Sequence, residues 1–149
     1  MLELNDRGKW REAWKMIDSE PSLLPPFLAW REWVASTIRK KWLAIEEVVW
    51  SPALRVAGRV DRIGYIEGDT HPSVIDIKTG ELWESVGIQV WGAYRELWNC
   101  TKKKTVIKGL AVQLPRKEPG VLRVKNFTND KYIEMWEEAK KDYFNILGE

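Results

Sequence analysis

Residues 57–80 read AGRVDRIGYIEGDTHPSVIDIKTG, and the fold turns on how this stretch is read. Two β-branched runs, GRVDRIGYI and PSVIDIK, flank EGDTHP, whose Gly68 and Pro72 are turn formers. Such runs across a short turn predict an antiparallel strand pair. Side chains two apart on a strand share a face, so Asp76 and Lys78 project together while Ile75 and Ile77 point the other way. Asp61 lies on the neighbouring strand and can approach Asp76 if the strands pair through the 67–72 turn. Two carboxylates brought together repel and raise a pKa unless a cation sits between them. Mg²⁺ suits such a place, being a hard ion that takes one or two carboxylates and keeps several waters. A metal there can polarise a phosphodiester and lower the pKa of the attacking water. Taken alone, Asp-x-Lys on a strand is an ordinary charge pair, either solvated or paired with itself.

Working outward, the strand character begins at Ile45 with EEVVW and is punctuated by Pro52, Gly58 and Gly64, giving three strands as an antiparallel meander. Upstream, Trp10, Ala13, Trp14 and Ile17 recur at helical spacing and predict an amphipathic helix over 6–18. The stretch SEPSLLPPF breaks it, since tandem prolines do not sit inside a helix, and a second helix is predicted over about 26–43. Downstream, a helix over about 84–99 carries Val90, Tyr94, Leu97 and Trp98 on one face. Strands in TVIKGLAVQLP and VLRVKNF follow, with a turn at RKEPG, and Asn129 or Asp130 caps a final helix. The order is ααβββαββα, an α/β (α+β) chain of one domain over 1–149.

The composition bounds what this chain does. At 149 residues, 44% hydrophobic and 31% charged, it reads as a soluble globular domain. The net charge of +2 does not announce a nucleic-acid binder, so any DNA-facing surface is a local patch. One cysteine, Cys100, and one histidine, His71, exclude an internal disulfide framework and any Cys/His zinc or iron–sulfur site from a single copy. No run approaches the roughly 18 apolar residues of a membrane span, and the charged start MLELNDRGKW is unlike a signal peptide. A cytoplasmic location is expected (host cytoplasm if the protein is viral). Most of the ten tryptophans are expected in the core, with one or two free to stack on bases.

Residues 57–80, with Glu46 upstream and a helix bearing Gln89 downstream, resemble the PD-(D/E)XK nuclease superfamily, in particular its RecB-like and phage-type exonucleases. The resemblance runs from about Arg7 to Tyr94 and more loosely beyond. It implies a restriction-endonuclease-like core, a mixed sheet with its meander flanked by helices. It places the catalytic residues at Asp61, Asp76 and Lys78, with Mg²⁺ or Mn²⁺ held by Asp61, Asp76 and the Ile77 carbonyl. In Gly8-Lys9-Trp10-Arg11-Glu12, Glu12 stands where relatives carry a metal-ligating histidine; a surface helix glutamate is the other reading. Glu46 is site-adjacent or a rim charge on an edge strand. Gln89 matches the glutamine of a Gln-x-x-x-Tyr helix motif, a DNA or site contact, but Tyr94 comes one residue late. Residues five apart on an α-helix lie about 140° apart, so Tyr94 reads as core unless the helix is distorted. Lys102, Lys103 and Lys104, with Lys108, either grip phosphate backbone or form a solvated loop. His71 reads as structural.

The resemblance implies a metal-dependent deoxyribonuclease, an exonuclease in recombination, repair or phage DNA processing, with DNA as partner and room for a homo-oligomer or a recombination partner protein. The lone cysteine argues against the iron–sulfur branch of the family. The alternative is a non-catalytic DNA-binding or assembly module that keeps the fold. A small-molecule enzyme is disfavoured, because neither a phosphate-cradling glycine loop nor a Ser/Cys–His pair is present.

Overall fold

A computed structural model describes residues 1–116 and 121–148. The turn expected at RKEPG falls largely on 117–120, outside the described residues. The chain opens with α1 (Leu2–Asp6), α2 (Trp10–Ser19), a 3₁₀ turn (Pro21–Leu23) and α3 (Leu24–Thr37). Three strands follow, β1 (Ala44–Ser51), β2 (Val56–Gly64) and β3 (Ser73–Lys78). Then come α4 (Glu84–Gly87), a π-helical segment (Ile88–Tyr94) and α5 (Arg95–Lys102), which run on without a break because the junction residues are all right-handed helical. β4 (Lys108–Gln113), β5 (Arg123–Asn126) and α6 (Asp130–Ile146) complete the chain.

The five strands form one mixed sheet in the order β1-β2-β3-β4-β5, antiparallel throughout except for the parallel pair β3–β4. The meander and the mixed sheet expected from the sequence are both present. The general α+β class is therefore shown. Alternation along β3 divides the core. Val74 packs with Val90, Trp91, Leu97, Phe127 and Tyr132 on the face covered by the 84–102 helix and α6. Ile75 packs with Leu110, Val112 and Trp30 on the face covered by α3. Asp76 and Lys78, in phase with Val74, therefore belong to the 84–102 helix face.

Two expectations about the helices need correction. The second helix starts at Leu24 rather than about 26, so that Pro25 as well as Pro26 lies in the first turn of α3. There the missing N–H groups have no intrahelical acceptor to lose. The helix also stops at Thr37 rather than near 43. Ile38 bridges Ile66, Arg39 N–H donates to the Tyr65 carbonyl, and Leu43 N–H donates to the Ile63 carbonyl, so this stretch is extended along β2. The short α1 was not expected at all, and its Asp6 proves to matter below.

The 84–102 helix is pressed between the sheet and α6. A Cβ on Gly92 would lie 2.5 Å from Trp136 Cβ and 2.9 Å from the Tyr132 carbonyl, so only glycine lets α6 approach this closely. Among the described residues, no helix is long and apolar enough to cross a membrane.

Candidate metal centre

The site sits where the sheet forks. β2 and β3 pair at Gly64–Ser73, Ile63–Val74 and Arg62–Ile75, and the ladder stops there, one step before Asp61 and Asp76. Past that point Ile77 N–H has no β2 carbonyl and instead donates to Asp61 Oδ2 at 2.8 Å. In a strand the N–H and C=O of one residue point to the same edge, so the Ile77 carbonyl also faces the fork.

The fork has a cause in β1. Ala44 and Val49 face the same core although an odd number of residues apart, and so do Val60 and Ile63 on β2. The pairs Ala44–Ile63 and Glu47–Val60 keep one register, so no residue is inserted. Between them Glu46 has φ +50°, in the left-handed region that glutamate seldom occupies. The alternation slips there, opposite Asp61, and both strands bend together.

Asp76 is 2% exposed, and its Oδ2 forms no hydrogen bond. Lys78 Nζ lies 3.0 Å from that oxygen. The contact is an ion pair. Burial, followed by the negative charge of Asp76, pushes the Asp61 carboxyl up to about 6. The Ile77 N–H and the Arg62 charge pull the other way and lose. Burial opposes the charge on Lys78, but its contact with Asp76 and the charges of Asp76 and Asp61 outweigh it and raise the ammonium pKa. Lys78 is thus a firmly held cation.

A relay continues from Lys78 into the helix. Its Nζ donates to Gln89 Oε1 at 3.3 Å, and Gln89 Nε2 donates to the Tyr94 hydroxyl at 2.8 Å. Lysine is donor-only, which settles the orientation of the amide. Gln89 and Tyr94 meet because the helix is π-form from Ile88 to Tyr94, where an i→i+5 repeat aligns residues five apart. Tyr94 is buried as expected of a core residue, yet its hydroxyl belongs to the site. Gly58 makes room for its ring, since a Cβ there would touch Tyr94 Cε1 at 3.0 Å. Burial raises the Tyr94 pKa, with the charges of Asp76 and Asp61 adding to the effect, so the phenol keeps its proton at neutral pH.

Behind Asp61 lies a charged network that the sequence reasoning missed. Arg62, 1% exposed, donates through Nε to Asp6 Oδ2 at 2.8 Å and through Nη1 to the Asp61 carbonyl at 2.7 Å. Asp6 also accepts from Trp30 Nε1 at 3.0 Å. Arg62 Nη1 reaches Glu46 Oε1 at 3.2 Å, and Glu46 Oε2 pairs with Arg59 at 3.1 Å. Glu46 is therefore site-adjacent through the backbone of Asp61, with its carboxylate spent on arginines. A signal was available: alternation puts Arg62 on the opposite face to Asp61 and Ile63, among apolar side chains, where an arginine needs a buried acid.

The remaining candidates are not gathered at the fork. Glu12 is exposed on α2, and among the described residues no group of three Asp, Glu, His or Cys could hold a metal, so Glu12 does not complete the Asp61–Asp76 pair. Lys102 pairs with Glu47, and Lys108 with Asp69 at 2.7 Å, so neither is a spare cation for phosphate. Lys103 and Lys104 are exposed beyond the far end of the 84–102 helix. At about 1.5 Å per residue that is on the order of 20 Å from Gln89. The imidazole of His71 bonds its neighbour Thr70, Nδ1 to Oγ1, at 2.9 Å.

What the residues at the fork offer a divalent cation is a buried carboxylate, a half-buried one beside it, and a backbone carbonyl facing the same opening. That donor set suits Mg²⁺ or Mn²⁺, which accept few protein oxygens and keep waters. No family model matches the chain, and no curated protein matches it significantly.

Proposed function

We propose that this chain is a divalent-metal-dependent deoxyribonuclease of the PD-(D/E)XK type, with Asp61, Asp76 and Lys78 as its catalytic residues. The observation that carries the reading is the buried Asp76 carboxylate, ion-paired through Oδ2 with Lys78, beside Asp61 at the fork between β2 and β3. Two adjoining carboxylates carry two negative charges against the single ammonium of Lys78, and a divalent cation would neutralise the pair. Mg²⁺ or Mn²⁺ on Asp61, Asp76 and the Ile77 carbonyl would supply Lewis-acid polarisation of a phosphodiester and a more acidic attacking water.

The chain's own residues do the rest. Lys78 holds positive charge where negative charge grows on the phosphoryl oxygens, and it orients the attacking water. Gln89 fixes the Lys78 ammonium, and Tyr94 fixes Gln89. The Tyr94 hydroxyl accepts from Gln89 and keeps its own proton to donate. The Arg62–Asp6 network holds the backbone of Asp61 from behind.

Linear DNA is expected to be degraded with Mg²⁺ or Mn²⁺, and EDTA to stop it. Exonuclease action is the expected mode, so closed circular DNA should survive. Asp76→Ala or Lys78→Ala should abolish cleavage; undiminished activity in either variant would sink the mechanism.

A further inference from the structure

A groove of about 460 Å³ lies beside the fork, between the loop that follows β3 and the ends of β4 and β5. Its described lining includes Thr79, Gly80, Gln113, Arg116 and Arg123, with Glu81 as the one acid. Strand register ties it to the site. Lys78 pairs with Gln113, and Gln113 with Arg123, so the three form one cross-strand row on the face that carries Asp76. With strands about 4.8 Å apart, the backbone of Arg123 lies roughly 10 Å from that of Lys78.

The row is held in place and charged. Gln113 Nε2 donates to the Gly80 carbonyl at 2.9 Å, and Arg116 Nε donates to the Thr79 carbonyl at 2.6 Å, which anchors the guanidinium over the loop. Among the described residues the Arg123 side chain has no hydrogen-bond or ion-pair partner, whereas the next cation on its face, Lys125, lies 3.7 Å from Glu84. Trp83, two residues beyond the groove wall at Glu81, is 68% exposed, the most exposed tryptophan among the described residues. Two Cα steps span at most about 7.6 Å, so the backbone of Trp83 lies close to the groove wall. An exposed indole near a groove lined by two arginines offers a nucleic-acid strand a surface for base stacking.

We propose that the DNA strand leaves the cleavage position through this groove, with Arg116 and Arg123 on its phosphates and Trp83 stacked on a base. In a duplex, where each strand carries one charge per roughly 3.4 Å of helix axis, Arg123 would contact the backbone within about three nucleotides of the bond that is cut. This rests on the nuclease reading above and adds to it the path of the substrate. It also moves phosphate binding away from the Lys102–Lys104 run, at the other end of the helix.

The test measures affinity of the full chain for a 5′-fluorescein-labelled oligothymidylate and for a blunt duplex from 50 mM to 1 M NaCl, in EDTA so that nothing is cut. The double variant Arg116→Ala/Arg123→Ala should lower the salt slope by roughly 1.4 on the single strand, or 1.8 on duplex. If affinities converge at 1 M, that is roughly a 25-fold loss at 0.1 M salt on the single strand and about 60-fold on duplex. Arg116→Lys/Arg123→Lys should restore the slope, and Lys15→Ala, on α2, should leave it unchanged. Trp83→Ala should weaken single-strand binding about fivefold or more at every salt concentration, without a change of slope. A preference of these effects for one probe identifies which form of DNA enters the groove. An unchanged slope in the double alanine variant, with a wild type that binds and cleaves, overturns the path and leaves the nuclease reading standing. The expected slopes with no cleavage under Mg²⁺ support the groove and overturn the nuclease. A wild type that binds neither probe overturns both.

Discussion

Replacing Asp61 with asparagine removes a charge that the metal-free fold holds against burial and against Asp76, and the size of the effect follows from the site. The carboxyl is displaced from 3.8 to about 6. At 1.36 kcal/mol per pH unit this is about 3 kcal/mol, and partial solvent contact lowers it to about 2–3 kcal/mol. The sign follows from proton binding: the folded state holds the proton more tightly than the unfolded chain. The protonated group is therefore neutral in its effect below about pH 4. Its ionised form becomes a growing liability as pH rises towards and through 6, and the full cost is present at pH 7.5. Asparagine keeps an oxygen for the Ile77 N–H, so that hydrogen bond survives the change. In EDTA, urea or thermal unfolding should show wild type and Asp61→Asn equal near pH 4. At pH 7.5 the variant should be more stable by about 2–3 kcal/mol, roughly 4–12 °C in Tm for a chain of this size. Saturating Mn²⁺ should erase that advantage by stabilising the wild type, about 2.7 kcal/mol at 100 times Kd. A difference independent of pH from 4 to 8, or a variant less stable at pH 7.5, would refute the electrostatic account of the fork.

Two further outcomes separate the supports of the site. Arg62→Met leaves the Asp6 carboxylate buried without its cation and should cost about 3–5 kcal/mol in urea unfolding, with Asp6→Asn added to it recovering part of the loss; equal stability of Arg62→Met and wild type would remove Arg62 as the anchor of Asp61. Tyr94→Phe deletes the end of the relay without touching the charges. It should lower Tm by no more than a few degrees, the worth of one neutral hydrogen bond, and lower kcat roughly threefold to tenfold, about 0.7–1.4 kcal/mol of barrier, whereas an unchanged kcat would make Tyr94 a core residue only.

The strands and their pairing were legible because apolar alternation is local and because Gly68 and Pro72 mark the turn. The fork was not. It depends on Glu46 adopting φ +50°, a conformation no propensity assigns to glutamate, and on the resulting slip opposite Asp61. The spacing of Gln89 and Tyr94 looked wrong for a shared role because an α-helical period was assumed; the π-helical segment makes five residues the right interval. Pro25 and Pro26 marked the helix boundary correctly but fell just inside it. Arg62 and Asp6 are 56 residues apart, and nothing local in α1 foretells their ion pair. From charge alone the lysine run fitted either a phosphate grip or a solvated loop, and only the tertiary structure shows Lys102 on Glu47 and Lys108 on Asp69.

The central claim is that Asp61 and Asp76 form a cation site, and Mn²⁺ binding followed by electron paramagnetic resonance addresses it without any assumption about substrate. The wild type should bind one Mn²⁺ tightly, competed by Mg²⁺, and Asp76→Asn should lose that binding while remaining folded. Equal Mn²⁺ binding by wild type and Asp76→Asn, or none by either, would contradict the account.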